Sequence, residues 1–306
     1  MTTVESPAVA RRRVRLALRA ARTARGMTQS EVADSMEWSL SKVMRIESGE
    51  VKISPIDLRA LLVCLGVTDQ IVVQDLLVAT KAARNRKSWW QDPRYRELTS
   101  SLLRLIQFEA EASTVRMFSV APIPGLLQTA DYAMVMLQNY SDDLPEDAIK
   151  VRREVRLRRQ REFFGPGRPD LMIMFDESIL YRTFGGERLM EEQLQKLRQF
   201  AAQDRIWIRI LPFTKGTPIV FFGPFTILEL GDEPDSVLYR ENPLNDEIVE
   251  DAVAVGSYRK WFEKMWDVAL SEEESIAALE KREGELRASD SGLGRGLSAS
   301  ALKKRR

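Results

Sequence analysis

Histidine is absent from the 306 residues, and cysteine occurs once, at Cys64. The first absence excludes Ser-His-Asp and Cys-His nucleophilic sites, histidine-ligated zinc and histidine acid–base catalysis. The second excludes an intrachain disulfide and a thiolate metal cage. No apolar run approaches the roughly 18 residues of a membrane span; the longest lies around Ala60 to Val67. Met1 to Ala10 has no hydrophobic segment leading to a cleavage site. Gly-rich phosphate loops, metal-ligand spacings and fixed-period repeats are missing as well. These absences set the expectation of a cytoplasmic, non-enzymatic protein with no cofactor, no metal and no membrane contact.

What is there is 44% hydrophobic and 30% charged, the mix of globular domains. The length suits two of them at about 150 residues each. The net charge of +1 hides an asymmetry. Residues 1–88 carry about 15 Lys/Arg against about 9 Asp/Glu, residues 89–294 carry an acidic excess of roughly 10, and the end from residue 295 is basic. A basic first quarter on an acidic body suits a polyanion bound by one part of the chain.

The first quarter is punctuated by helix signals. Val14, Ala17, Leu18 and Ala21 recur at helical spacing, and Gly26 stops that helix. Thr28 and Glu31 form a capping box for a short helix with Val32, Ala33 and Met36 inward. A turn at Glu37-Trp38 follows. Ser39 caps helix 40–47, which Ser48-Gly49 ends. Ser54-Pro55 opens a helix with the stripe Leu58, Leu61, Leu62 and Leu65, and Thr68 caps a fifth helix.

Two short helices across a tight turn suggest a helix-turn-helix, whose second helix enters the major groove of DNA. Val43 and Ile46 must face the core, which turns Leu40, Ser41, Met44 and Arg45 outward. Arg45 can chelate a guanine edge, Ser41 can bond several bases, and Leu40 and Met44 can meet thymine methyls. Ser39 and Lys42 suit phosphates. Thr28 and Gln29, at the start of the preceding helix, suit the DNA backbone.

Met27-Thr-Gln-Ser-Glu-Val-Ala33 and Ser41-Lys-Val-Met-Arg-Ile-Glu-Ser-Gly49 resemble the lambda-repressor-like (Xre-type) helix-turn-helix family. The resemblance implies an ion pair between Arg22 and Glu47. Further motifs are Trp89-Trp90, Phe108-Glu-Ala-Glu-Ala112, Pro124-Gly-Leu-Leu-Gln-Thr-Ala-Asp-Tyr132, Asp176-Glu177, Ile210-Leu-Pro-Phe213 and Gly223-Pro-Phe-Thr226. With these the chain resembles, over residues 11–284, actinobacterial antitoxin-like regulators with a C-terminal domain of unknown function. That likeness implies a small partner protein encoded nearby. Glu37 stands where the family often has Gly, and Leu40 where these regulators commonly carry Arg.

Other features take plainer readings. Arg11-Arg-Arg13 reads as a solvated face, and the arginines between 152 and 161 as a solvated or internally ion-paired one. Asp176-Glu177 reads as a cap rather than a catalytic pair, Trp89-Trp90 as an interdomain anchor, and Cys64 as core. The fold expected is a mainly α, five-helix helix-turn-helix domain at 11–85, then an α+β domain at 101–285 with a small antiparallel sheet. The strands near Arg205, Phe225 and Ser236 read as one meander, broken at Asp232 to Asp235. Residues 1–10 and 286–306 are expected to be disordered, and 86–100 to be a linker. The function expected is a nucleoid-associated, homodimeric regulator that binds double-stranded DNA. Its C-terminal domain would sense a signal or bind the partner. The alternative is an enzyme or an interaction module whose DNA domain serves autoregulation.

Overall fold

The computed structural model describes residues 7–47, 51–83, 89–95, 98–110, 112–139, 145–165, 167–215, 222–230, 236–241 and 246–301. The stop at Ser48-Gly49, the break at Asp232 to Asp235 and the last five residues lie outside the described residues. The chain divides into two compact units, Met1–Gln91 and Asp92–Arg306.

The first unit holds α1 (Pro7–Ala24), α2 (Gln29–Ser35), α3 (Leu40–Glu47), α4 (Pro55–Cys64) and α5 (Gln70–Ala82). Local chemistry sets their ends. Gly26 takes φ +70°, a backbone that disfavours L side chains, and turns the chain out of α1. Ser54 caps α4 with Pro55 at its first position. Asp69, not Thr68, caps α5; its Oδ1 accepts the Ile71 N–H at 2.8 Å, and a carboxylate is the stronger acceptor. Val14, Leu18, Val32, Val43, Ile46, Leu58 and Leu62 share one core.

Three expectations change here. Helix α1 begins at Pro7 and Ala10 is fully buried, so disorder does not extend to residue 10. Arg12 and Arg15 are buried and Arg13 pairs with Asp75 of α5 at 2.5 Å, so the arginine run is not a solvated face. The cause is the packing of α1 along α5. Cys64 is half-buried rather than core.

The second unit runs α6 (Ser100–Glu109), β1 (Thr114–Ser119), α7 (Ala130–Asn139), α8 (Glu146–Phe163), β2 (Asp170–Asp176), α9 (Glu187–Ala201) and β3 (Ile206–Leu211). It continues with β4 (Phe225–Glu229), β5 (Ser236–Arg240), β6 (Glu247–Val249), α10 (Ala252–Val268) and α11 (Glu272–Ala301). The sheet has six strands in the order β3-β2-β1-β4-β5-β6. β1, β2 and β3 are parallel, with Val115 opposite Leu171 and Leu171 opposite Ile206. β4, β5 and β6 are antiparallel.

The small antiparallel sheet is therefore corrected to a six-stranded mixed one. The segment at Ile206 joins β2, not the meander, because the helices between β1, β2 and β3 return each strand parallel to the last. Side chains alternate between two cores. Val115, Leu171, Ile173 and Ile208 pack beneath α9 and α11, while Phe118, Met174, Ile227 and Leu238 pack beneath α10. Tyr95 and Leu98 are buried, so packed structure begins inside the stretch expected as a linker. Helix α11 continues to Ala301 through the segment expected to be disordered from 286; no proline interrupts it there.

Candidate nucleic-acid interface

Helix α3 is presented by two caps and a brace. Thr28 and Glu31 close a reciprocal capping box: the Glu31 N–H donates to Thr28 Oγ1 at 3.2 Å, and the Thr28 N–H donates to Glu31 Oε2 at 2.7 Å. The Thr28 backbone N–H and hydroxyl hold the Glu31 carboxyl below the usual carboxylate range. Ser39 caps α3 through the Lys42 N–H at 3.2 Å. Between the helices Glu37 takes φ +54°, the conformation a glycine would adopt without strain.

Beneath α3 lies a three-residue brace. Arg22 of α1 forks onto Glu47, Nε to Oε1 at 2.7 Å and Nη2 to Oε2 at 3.1 Å, and its Nη1 donates to the Met27 carbonyl. Gln29 of α2 donates Nε2 to Glu47 Oε2 at 2.8 Å. Glu47 is buried, so its charge is met by a guanidinium and an amide instead of water. One carboxylate ties α1, α2 and α3 together and fixes the angle at which α3 stands.

With Val43 and Ile46 buried, Leu40, Ser41, Met44 and Arg45 are exposed on one side of α3. Leu40 is 44% and Met44 50% exposed, large values for apolar side chains on a helix only eight residues long. Ser39 and Thr28 are exposed as well. Two residues have partners that the sequence did not show. Gln29 is half-buried and held by Glu47. Lys42 leans off the face: its Nζ lies 3.6 Å from the centre of the Trp38 ring and 3.4 Å from Asp57. The structure thus brings Leu40, Ser41, Met44 and Arg45 together and sets Gln29 and Lys42 at the flanks. The Gln29–Glu47 bond has no signature in the sequence, because nothing there shows which of two helices a side-chain amide will turn to.

In the second unit Asp176 and Glu177 bond to backbone N–H groups. Asp176 Oδ1 accepts the Ser178 N–H at 3.0 Å, and Glu177 Oε2 accepts the Phe213 N–H at 2.7 Å. Among the described residues no group of acidic residues and cysteine is arranged to hold a metal ion, and no helix is long and apolar enough to cross a membrane. Trp89 and Trp90 pack edge to face at 5.8 Å between ring centres.

Residues 14–74 match the family described as a helix-turn-helix domain. Residues 102–281 match the family described as a domain of unknown function (DUF5753). No curated protein and no solved structure matches the chain.

Proposed function

The chain belongs to the DUF5753 family, with a helix-turn-helix domain ahead of that domain, and from this premise we propose that it is a dimeric, sequence-specific regulator of transcription. The helix-turn-helix match supports DNA binding and transcription regulation as its work. The finer reading, Xre-type and antitoxin-like, is ours. Helix α3 enters the major groove; Arg45 and Ser41 bond base edges, and Leu40 and Met44 contact thymine methyls. Ser39 and Thr28 stand at the phosphates. Gln29 and Lys42 join them with the N–H groups that Glu47 and Asp57 leave over. The observation that carries the reading is the exposure of four outward side chains opposite buried Val43 and Ile46 on a braced helix.

The test begins with selection of the preferred site from random duplexes by the full chain. Arg45→Ala should weaken binding by about 1–3 kcal/mol at one base position and relax selectivity there. Equal stringency for Arg45→Ala and the wild-type protein would sink the assignment. Dimerism predicts a two-fold symmetric site with half-sites about 34 Å apart or a multiple of that.

The C-terminal unit is read as a binding module rather than an enzyme, one that senses a signal or docks a small partner protein encoded nearby. Tyr181 and Phe213 support docking: both are exposed, their rings stack at 6.1 Å, and Glu177 bonds both residues. Exposed aromatics in a fixed pose are what interface hot spots use. Co-purification with the neighbouring gene's product, abolished in Phe213→Ser, is the expected result.

A further inference from the structure

Helix α8 carries arginines at 152, 153, 156 and 159. Arg152, Arg156 and Arg159 share the inward side of the helix with buried Val155 and Phe163. Their charges are unequally met. Arg159 forks onto buried Glu109, Nε to Oε2 at 2.6 Å with a second bond to Oε1. Arg156 has no carboxylate within ion-pair distance among the described residues; its Nη1 donates to the neutral amide oxygen of Gln128 at 2.8 Å. One helical turn earlier, Arg153 Nε is buried with no hydrogen-bond partner among the described residues. The structure leaves positive charge and a donor in a half-buried place, which is costly without an anion.

The surroundings are built to keep that arrangement. Gln160 donates Nε2 to the carbonyls of Gly125 at 2.6 Å and Gln128 at 2.9 Å, which fixes the turn presenting Gln128. Gly125 lets the guanidinium lie against the backbone, since a Cβ there would stand 3.3 Å from Arg156 Nε. Reduced hydration, then the charges of Arg159 and Arg152, pull the Arg156 pKa down to about 10. Glu241, just past β5, is the nearby carboxylate. It is exposed and favours the charged form of Arg156, but it stands beyond ion-pair distance, so the offset is partial.

We propose that this cluster binds the anionic group, carboxylate or phosphate, of a small molecule, with Arg156 and Arg153 donating to its oxygens and Gln128 holding Arg156 in place. The proposal rests on the sensing half of the function proposed above and names the ligand chemistry. Guanidinium forks match both groups geometrically.

The test is calorimetric titration and thermal unfolding of the full chain with inorganic phosphate and, separately, citrate, at ionic strength held constant with sodium chloride. A saturable response to either at one site per chain is expected, with a rise in Tm. A response to phosphate alone assigns a phosphate ligand, and to citrate alone a carboxylate. Arg156→Gln should weaken binding about tenfold or more. Arg153→Gln disturbs no hydrogen bond at Nε and serves if Arg156→Gln fails to fold; it should weaken binding by several-fold. No saturable response to either anion, or equal affinity in wild type and Arg153→Gln, would overturn the site. No DNA enters this assay, so its failure leaves operator binding untouched, and a failed site selection leaves the anion titration untouched.

Discussion

Glu37 is a glutamate in a conformation suited to glycine, φ +54° at the turn between α2 and α3. An L side chain there costs about 1–2 kcal/mol, while glycine's freedom in the unfolded chain costs about 0.5–1 kcal/mol. Glu37→Gly should therefore stabilise the first unit by about 0.5 kcal/mol, seen as a higher urea midpoint at unchanged slope. Glu47 works in the opposite direction. It is buried and accepts from both Arg22 and Gln29. Glu47→Ala leaves a half-buried guanidinium without its carboxylate, and a drop of about 3 kcal/mol is expected in the same measurement. The double variant Arg22→Met, Glu47→Ala should recover part of it, because the uncompensated charge goes as well. Recovery would show that the stranded guanidinium, rather than the missing glutamate side chain, carries the penalty. The Arg22–Glu47 pair was legible only through likeness to a family, since 25 residues of chain separate the partners.

At the scale of elements, helix starts were written in the sequence. Thr28, Ser39 and Ser54 cap as their side chains dictate, because a cap is a hydrogen bond across three residues. Two helix starts are acid-sensitive. Thr28 holds the Glu31 carboxyl below its ordinary range, and Ser271 holds Glu274 likewise at the start of α11. A carboxyl whose folded pKa is depressed contributes fully above its unfolded value and loses that contribution as pH falls through the folded one. Stability should thus fall on acidification below about pH 4, and Glu31→Gln should flatten part of that limb in thermal melts. Strand partners were not legible. The strand at Ile206 alternates buried and half-buried residues, and that period of two is the same whether its partner runs parallel or antiparallel. The inward arginines of α8 left a signal that was readable. Arg152, Arg156 and Arg159 recur at the same helical spacing as Val155 and Phe163, so they share that side of the helix.

For the whole molecule, the function proposed above assigns the strength of DNA binding to charge and its selectivity to the outward side chains of α3. The excess of basic residues lies in the first unit, while the rest of the described chain is acidic. Binding to a selected site should fall steeply with salt, with a slope in log–log form of about −0.9 per phosphate neutralised. Filter binding or fluorescence anisotropy across a salt series checks this. Thr28→Ala should weaken binding to all sequences nearly equally, in contrast to Arg45→Ala, because phosphate contacts carry no sequence information.

The amino-acid sequence by itself determined the helices of the first unit, the outward set on α3 and the absence of histidine chemistry. All of these follow from composition or from interactions within a few residues. Only tertiary structure decided that β3 lies beside β2, that Gln29 and Lys42 turn to Glu47 and Asp57, and that Arg156 is half-buried beside a neutral amide. These depend on which distant segments meet. A charge or an amide bonds to whatever partner packing brings within reach, and the spacing of residues along the chain does not record that partner.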